Sequence, residues 1–123
     1  MGRAPVAVNR SLFGFSSGYC FRGSHAGDTA DDLKALKANE VIAVDLNDAP
    51  AGIPKDQQVD GRRELPAATG VIDVGAFLSA LNEIGYDGPV RAEPFNQAVN
   101  RMTKDEACAA ASAALKKAFA RIT

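Results

Sequence analysis

The sequence is poor in the residues that mark secreted, thiolate-rich or membrane-bound chains. It has two cysteines, one histidine and no tryptophan among its 123 residues. Cys20 and Cys108 stand far apart without a CxxC pair, which is typical of reduced, incidental thiols and argues against a disulfide framework or a thiolate metal site. No apolar run approaches the length of a membrane span, and residues 1–5 are not followed by a signal-peptide core. We therefore expect a cytoplasmic protein.

A charge excess of either sign is also absent. The chain carries 14 lysines and arginines against 15 acids, and the two signs are interspersed. A nucleic-acid-binding domain would show a basic patch, and an interaction tail would show a block of like charge. The hydrophobic share of 46% is instead that of an ordinary globular chain long enough for one small domain. Neither nucleic acid nor a membrane is expected as a partner.

The most informative stretch is VIAVDLND at residues 41–48. Its unbroken apolar run predicts a strand buried on both faces, as in a parallel sheet. Asp45, Asn47 and Asp48 place polar groups where this strand ends, and α/β folds bind ligands at that edge. We interpret Asn47 and Asp48 as Asx residues that organise the following loop.

Helices and strands alternate along the chain. Short strands are compatible with residues 6–8 and 11–16, and a further strand is predicted over residues 89–93. Helices are predicted over residues 29–39, 74–84 and 104–121. The buried stripe of the last helix is predicted to comprise Cys108, Ala111, Leu115, Phe119 and Ile122. This alternation favours βαβ units and a parallel α/β sheet.

Local signals support these boundaries. Thr103 and Glu106 form a capping-box pattern before the last helix, and Thr29 with Asp32 does the same before the first. Gly85 stands where the second helix should end.

Two carboxylates are predicted to meet at one edge of the sheet. Asp45 and Glu93 each lie where a predicted strand ends. Convergent carboxylates either ligate a divalent metal or share acid–base work. The competing interpretation is that each acid caps a loop or pairs with an arginine.

The loop over residues 47–70 is unusually long and contains three prolines and three glycines. Such loops are typically binding loops or lids when they are ordered. Arg62 and Arg63 in its second half either bind a phosphate or a sugar hydroxyl or simply solvate the loop. His25 lies in a Gly- and Ser-rich region, where it is either solvent-facing or a ligand.

Two stretches carry a family resemblance as an ordered set. They are VIAVDLNDAP at residues 41–50 and RRELPAATGVIDVGAFLSALNEIGYDGPVRAEPF at residues 62–95. They resemble the C-terminal part of the sugar phosphate isomerase/epimerase family with the xylose-isomerase-like TIM barrel. The resemblance covers about residues 29–123 and implies a partial (β/α)8 barrel, its last three βα units, with residues 1–28 as an irregular N-terminal segment containing a candidate strand.

The resemblance also implies a chemistry. Family members hold a divalent metal, often Mn²⁺ or Mg²⁺, with two Glu, one Asp and one His, and move a proton of a keto sugar through an enediolate. Glu93 matches the last-strand glutamate, which is both ligand and acid–base group. Asp45 stands where many members have the metal-binding histidine. Arg63, next to Arg62, matches an arginine that contacts a sugar or sugar phosphate substrate.

The chain departs from the family pattern upstream of these stretches. The first glutamate would lie before Met1, and an expected Asp-x-x-His near residues 16–22 is missing, with His25 too late to replace it. We therefore expect a truncated fragment that is inactive alone and has not necessarily retained the metal. The alternative is a non-catalytic barrel remnant, or a carbohydrate- or phosphate-binding module, that associates with a partner chain or with itself through exposed strand edges.

Overall fold

A three-stranded parallel sheet forms the centre of the fold. The computed structural model describes residues 6–8, 29–59, 61–93 and 95–123. The strands lie side by side in the order β1 (Val6–Val8), β2 (Val41–Leu46) and β3 (Val90–Ala92). β2 pairs in parallel with both neighbours, which confirms the predicted parallel sheet. The candidate strand over residues 11–16, Cys20 and His25 lie outside the described residues.

Four helices accompany these strands in the described ranges. They are α1 (Ala30–Leu33), α2 (Val74–Glu83), α3 (Gln97–Asn100) and α4 (Lys104–Phe119). α2 and α4 match the predictions to within two residues, whereas α3 was not predicted. None of the helices in this part of the chain is long and apolar enough to cross a membrane.

The first helix is much shorter than predicted. The amides of Ala35 and Leu36 bond to carbonyls three residues back, at 3.3 and 3.0 Å, so the chain tightens after Leu33. Such tight turns rarely extend. A 3₁₀ turn over Ala38–Glu40 then leads directly into β2.

The predicted helix ends are confirmed. Thr103 and Glu106 form a reciprocal capping box at the start of α4. Gly85 adopts a φ of 77°, and its amide and that of Tyr86 bond to the carbonyls of Asn82 and Leu81. This is the Schellman arrangement, in which a glycine accepts the left-handed backbone without strain.

One face of the sheet carries the hydrophobic core. Val44 and Leu46 of β2 are fully buried and cluster with the apolar side of α2. The α2 side chains in this cluster are Val74, Phe77, Leu78, Ala80 and Leu81. Their spacing is that of one helix face, which confirms the amphipathic pattern predicted for this segment.

The helix α4 presents a different face to the core from the one predicted. Ala114 and Ala118 are buried, whereas Cys108 is exposed and Phe119 is 41% exposed. Alanine side chains let a helix approach its neighbours closely, so the smallest residues mark the contact and the larger ones flank it. Leu115 and Ile122 of the predicted stripe are partly buried against the core.

Candidate functional site

Asp45 and Glu93 lie on adjacent parallel strands, as predicted. In the parallel pairing of β2 with β3, Asp45 is opposite Arg91 and Leu46 is opposite Ala92. The Glu93 amide donates to the Leu46 carbonyl at 2.8 Å, so the ladder continues one residue past β3. Since side chains alternate along a strand, Asp45, Arg91 and Glu93 share one face of the sheet. We call these three residues the polar face.

The Asp45 carboxylate is held by Arg91 in a two-point ion pair. Arg91 Nε lies 2.7 Å from Asp45 Oδ1, and Arg91 Nη2 lies 2.9 Å from Oδ2. The Asp45 side chain is 9% exposed and that of Arg91 is 63% exposed. The hydrogen bonds and charge of Asp45 raise the pKa of the Arg91 guanidinium above its ordinary value, and the charge of Glu93 acts in the same direction.

Asp48 is the buried anchor of the long loop. Its Oδ1 accepts the amides of Ala49 and Ile72 at 2.8 and 3.0 Å. Its Oδ2 accepts the amides of Thr69 and Gly70 at 3.0 and 2.8 Å. Asp48 is fully buried, so these bonds replace the hydration that its carboxylate loses. The prediction that Asp48 organises the loop is confirmed.

Asn47 behaves differently, and the prediction of an Asx role for it is wrong. Its side chain is fully buried, yet neither the amide nitrogen nor the amide oxygen has a hydrogen-bond partner among the described residues. An Asx residue would bond to backbone groups of its own loop. The Asn47 amide is thus an unused donor and acceptor beside the polar face.

Arg63 is also buried without a side-chain partner. It is 1% exposed, and none of its three guanidinium nitrogens makes a hydrogen bond within the described ranges. Its backbone is nevertheless fixed, because its amide donates to the Phe95 carbonyl at 2.9 Å and its carbonyl accepts from Asn96 Nδ2 at 3.0 Å. The long loop is therefore tied to the segment that follows β3.

A cavity of about 420 Å³ lies between the long loop and this segment. Arg62 and Arg63 line it together with Pro50, Phe95 and Asn96. Arg62 is exposed. The two arginines predicted to bind substrate thus share one cavity, although they differ completely in their access to solvent.

The described residues do not fit a divalent metal as they stand. No group of three histidine, cysteine or acidic side chains converges anywhere in this part of the chain. Asp45 and Glu93 supply two carboxylates, but both oxygens of Asp45 already accept from Arg91. The assignment of Asp45 and Glu93 as metal ligands remains a prediction.

Arg91 is the residue of this site that the sequence reasoning missed. Side chains alternate between the two faces of a strand, so the predicted strand over residues 89–93 already places Arg91 on the same face as Glu93. The pairing with Asp45 depends on strand register across 46 positions of sequence, which no local pattern reveals.

Comparison with known proteins identifies a matching family model. The family model described as xylose isomerase-like TIM barrel matches residues 17–118. Among curated protein sequences, none matches the chain.

One solved structure matches with strong structural similarity. It is a 1.8 Å crystal structure of the IolI protein with a bound zinc atom, which is 27% identical to this chain and aligns with a TM-score of 0.69. The alignment covers 84% of this chain but 37% of IolI. The chain therefore spans well under half the length of this neighbour.

Proposed function

The chain belongs to the xylose isomerase-like TIM barrel family, and from this we propose that it supplies part of the active-site wall of a sugar or sugar phosphate isomerase or epimerase. In this proposal its strands are the last three βα units of a (β/α)8 barrel. Glu93 moves a proton between neighbouring carbons of a keto sugar, and the reaction proceeds through an enediolate.

The observation that carries the proposal is the contrast between the two faces of the sheet. One face is apolar and packed under α2. The other carries Asp45, Arg91 and Glu93 at the carboxyl ends of neighbouring strands. Residues at these strand ends form the active sites of TIM-barrel enzymes. The polar face is therefore the natural lumen side of the proposed barrel.

Glu93 is the proposed acid–base residue for two reasons. It is a carboxylate at the carboxyl end of β3, where a bound sugar would lie, and its backbone amide is fixed by the bond to Leu46. General acid–base catalysis requires a group held within hydrogen-bond distance of the proton that it moves.

Arg63 and Arg62 are the proposed substrate-binding residues. A buried guanidinium without acceptors carries a large desolvation cost, which an oxygen ligand at that position would offset. Arg63 has this character among the described residues, and Arg62 lines the same cavity from the solvent side. A phosphate or vicinal sugar hydroxyls would supply the acceptors.

A metal-assisted variant of this function is favoured by the zinc atom in IolI. In that variant Glu93 and Asp45 would hold the divalent ion, which would polarise the sugar carbonyl. In that variant the ion would compete with Arg91 for the oxygens of Asp45, each of which already accepts one hydrogen bond from the guanidinium. We derive no step of the proposed reaction through this ion.

The chain is proposed to need further strands for activity. It aligns with 37% of IolI, and β1 and β3 are edge strands in the described sheet. Unpaired strand edges favour association with further strands. We expect the chain alone to be inactive, and light scattering would show whether its edges pair two copies.

A chimeric barrel tests the proposal. This chain would replace the aligned 37% of IolI, and deuterium incorporation from D2O into a panel of keto sugars and their phosphates would be followed by NMR. Glu93→Gln should lower exchange by at least about 100-fold, since it removes the proton-transferring group. Glu83→Gln is the matched control, because Glu83 is exposed on α2 and pairs with Lys34.

Two results would contradict the proposal. One is a folded chimera that exchanges no proton of any sugar in the panel. The other is undiminished exchange in Glu93→Gln.

The second candidate is a carbohydrate- or phosphate-binding module without catalysis. The cavity between the long loop and the segment after β3 favours it, because it already contains two arginines. Titration of the isolated chain with phosphate should then shift NMR signals around Arg62. Arg62→Ala should abolish these shifts, whereas Lys55→Ala in the same loop should preserve them.

A further inference from the structure

The polar face already contains a cation. Arg91 contacts both oxygens of Asp45 through two different nitrogens, at 2.7 and 2.9 Å. This fork-to-carboxylate geometry is the strongest form of the arginine–carboxylate pair. The partners are register neighbours on adjacent strands, so the backbone itself holds them opposite each other.

Arg91 also lies beside Glu93. The two residues are two positions apart in the chain, and the ladder with β2 continues through Glu93, so both side chains are on the face that carries Asp45. Arg91 therefore lies within the field of the same two carboxylates that the family resemblance assigns to a divalent metal. Two carboxylates around one positive centre is the charge arrangement of such a metal site.

We propose that Arg91 is the resident cation of the polar face and takes the place of the divalent metal at Asp45. The aspartate then serves to hold the guanidinium in a fixed position. The inference concerns the same site as the proposed function but does not require Glu93 to be catalytic.

Physical chemistry favours this exchange of one cation for another. A metal ion at Asp45 would either compete with Arg91 for the two oxygens that accept its charge-assisted hydrogen bonds or bind beside the guanidinium charge. In either case the guanidinium would remain close to the metal, since β3 fixes its backbone beside Asp45, and the two positive charges would repel each other. Glu93 alone offers too few ligands for tight binding of Mn²⁺ or Zn²⁺.

Metal titration of the full chain tests the proposal without any assay of activity. Mn²⁺ binding would be measured by electron paramagnetic resonance of the free ion in the parent, Arg91→Ala, Arg91→Lys and Asp45→Asn/Arg91→Ala. Arg91→Ala should bind Mn²⁺ at least about tenfold more tightly than the parent, because Asp45 becomes available. Arg91→Lys retains the charge and should stay as weak as the parent.

The double variant identifies the ligand. Asp45→Asn/Arg91→Ala should lose the binding gained in Arg91→Ala, because a neutral amide replaces the carboxylate. The proposal is overturned if the parent binds one Mn²⁺ as tightly as Arg91→Ala, or if the double variant binds as tightly as Arg91→Ala.

A second measurement covers the case in which Arg91→Ala does not fold. In the parent, the Arg91 Nε proton should give a sharp NMR signal protected from exchange, and this signal should broaden or shift in Asp45→Asn. An Arg91 signal that exchanges freely in the parent would show that the pair does not persist in solution, and the proposal would fail. Neither result depends on isomerase activity, so failure here and failure of the proposed function are distinguishable.

Discussion

The residues where β2 ends form two rows with opposite properties. The helix-facing row consists of Val44, Leu46 and Asp48, all fully buried. The polar row consists of Asp45 and Asn47, which alternate with them along the chain. In the helix-facing row, Val44 and Leu46 pack in the core under α2. The Asp48 carboxylate accepts four backbone hydrogen bonds.

The side chains of the polar row have fewer hydrogen-bond partners within the described residues. Asp45 depends on a largely exposed arginine from the next strand, and the Asn47 amide has no partner within the described ranges. A single strand thus places core-packing and polar side chains on opposite sides through the alternation of its residues. The helix-facing row carries the core and loop contacts, whereas the polar row holds the groups to which the proposed function assigns a ligand.

Asp48→Asn should give the largest effect on stability. An asparagine offers one acceptor oxygen in place of two, so two of the four loop amides would face an amide nitrogen. We expect a loss of about 3 kcal/mol in the free energy of unfolding, measured by urea denaturation followed by circular dichroism. Asp56→Asn, at an exposed position of the same loop, is the control and should change stability by less than about 0.5 kcal/mol. Equal losses for Asp48→Asn and Asp56→Asn would show that the buried hydrogen bonds of Asp48 do not stabilise the fold more than an exposed carboxylate does.

Asn47→Ala should have a much smaller effect at a position just as deeply buried. Removing the side chain leaves a small cavity, but it also removes two buried polar atoms that have no described partner. These terms oppose each other, so we expect a change of less than about 1 kcal/mol in the same denaturation experiment. A loss as large as that of Asp48→Asn would show that the Asn47 side chain supports the fold as strongly as the residues of the helix-facing row do.

The pH dependence contributed by Glu106 should be the smallest effect. Hydrogen bonds from the Thr103 backbone and side chain lower the pKa of Glu106 below its ordinary value of 4.5. The stabilisation that the Glu106 carboxylate gives to α4 is therefore fully present above the pKa that Glu106 has in the unfolded chain. It is lost as the pH falls through the lower pKa that Glu106 has in the folded protein. The parent should be more stable than Glu106→Gln at pH 7, and the difference should shrink below about pH 4. A difference that is independent of pH would show that the carboxylate charge plays no part in capping the helix.

The elements set by short-range interactions were predictable. The apolar run of β2, the amphipathic pattern of α2, the capping box at Thr103 and the terminating Gly85 each depend on residues within a few positions of one another. The parallel sheet followed from the alternation of strands and helices. The face that α4 presents was not predictable, because small and large apolar residues alternate around that helix and only its neighbours select between them.

The candidate site was predictable in composition but not in its pairings. Asp45, Glu93, Arg62 and Arg63 were identified from strand ends, the long loop and the family resemblance. The role of Arg91 was missed, and Asn47 was assigned the role that Asp48 performs alone. The Arg91–Asp45 pair joins residues 46 positions apart, and three of the four amides bound to Asp48 come from residues more than 20 positions away. The Asn47 amide has no hydrogen-bond partner among the described residues, which no local pattern indicates.

Local sequence signals were enough to place the polar side chains at the end of the buried strand and the ends of the helices around it, since periodicity and capping act over one or two turns. Contacts between distant segments then made Asp48 a structural carboxylate and left Asp45 on the polar face. Strand register placed Arg91 opposite Asp45, and the return of the long loop placed the amides of Thr69, Gly70 and Ile72 around Asp48, next to that of Ala49. A buried charge is stabilised by the hydrogen-bond partners that the fold brings to it, and for these two aspartates most of the partners lie more than 20 positions away in the sequence.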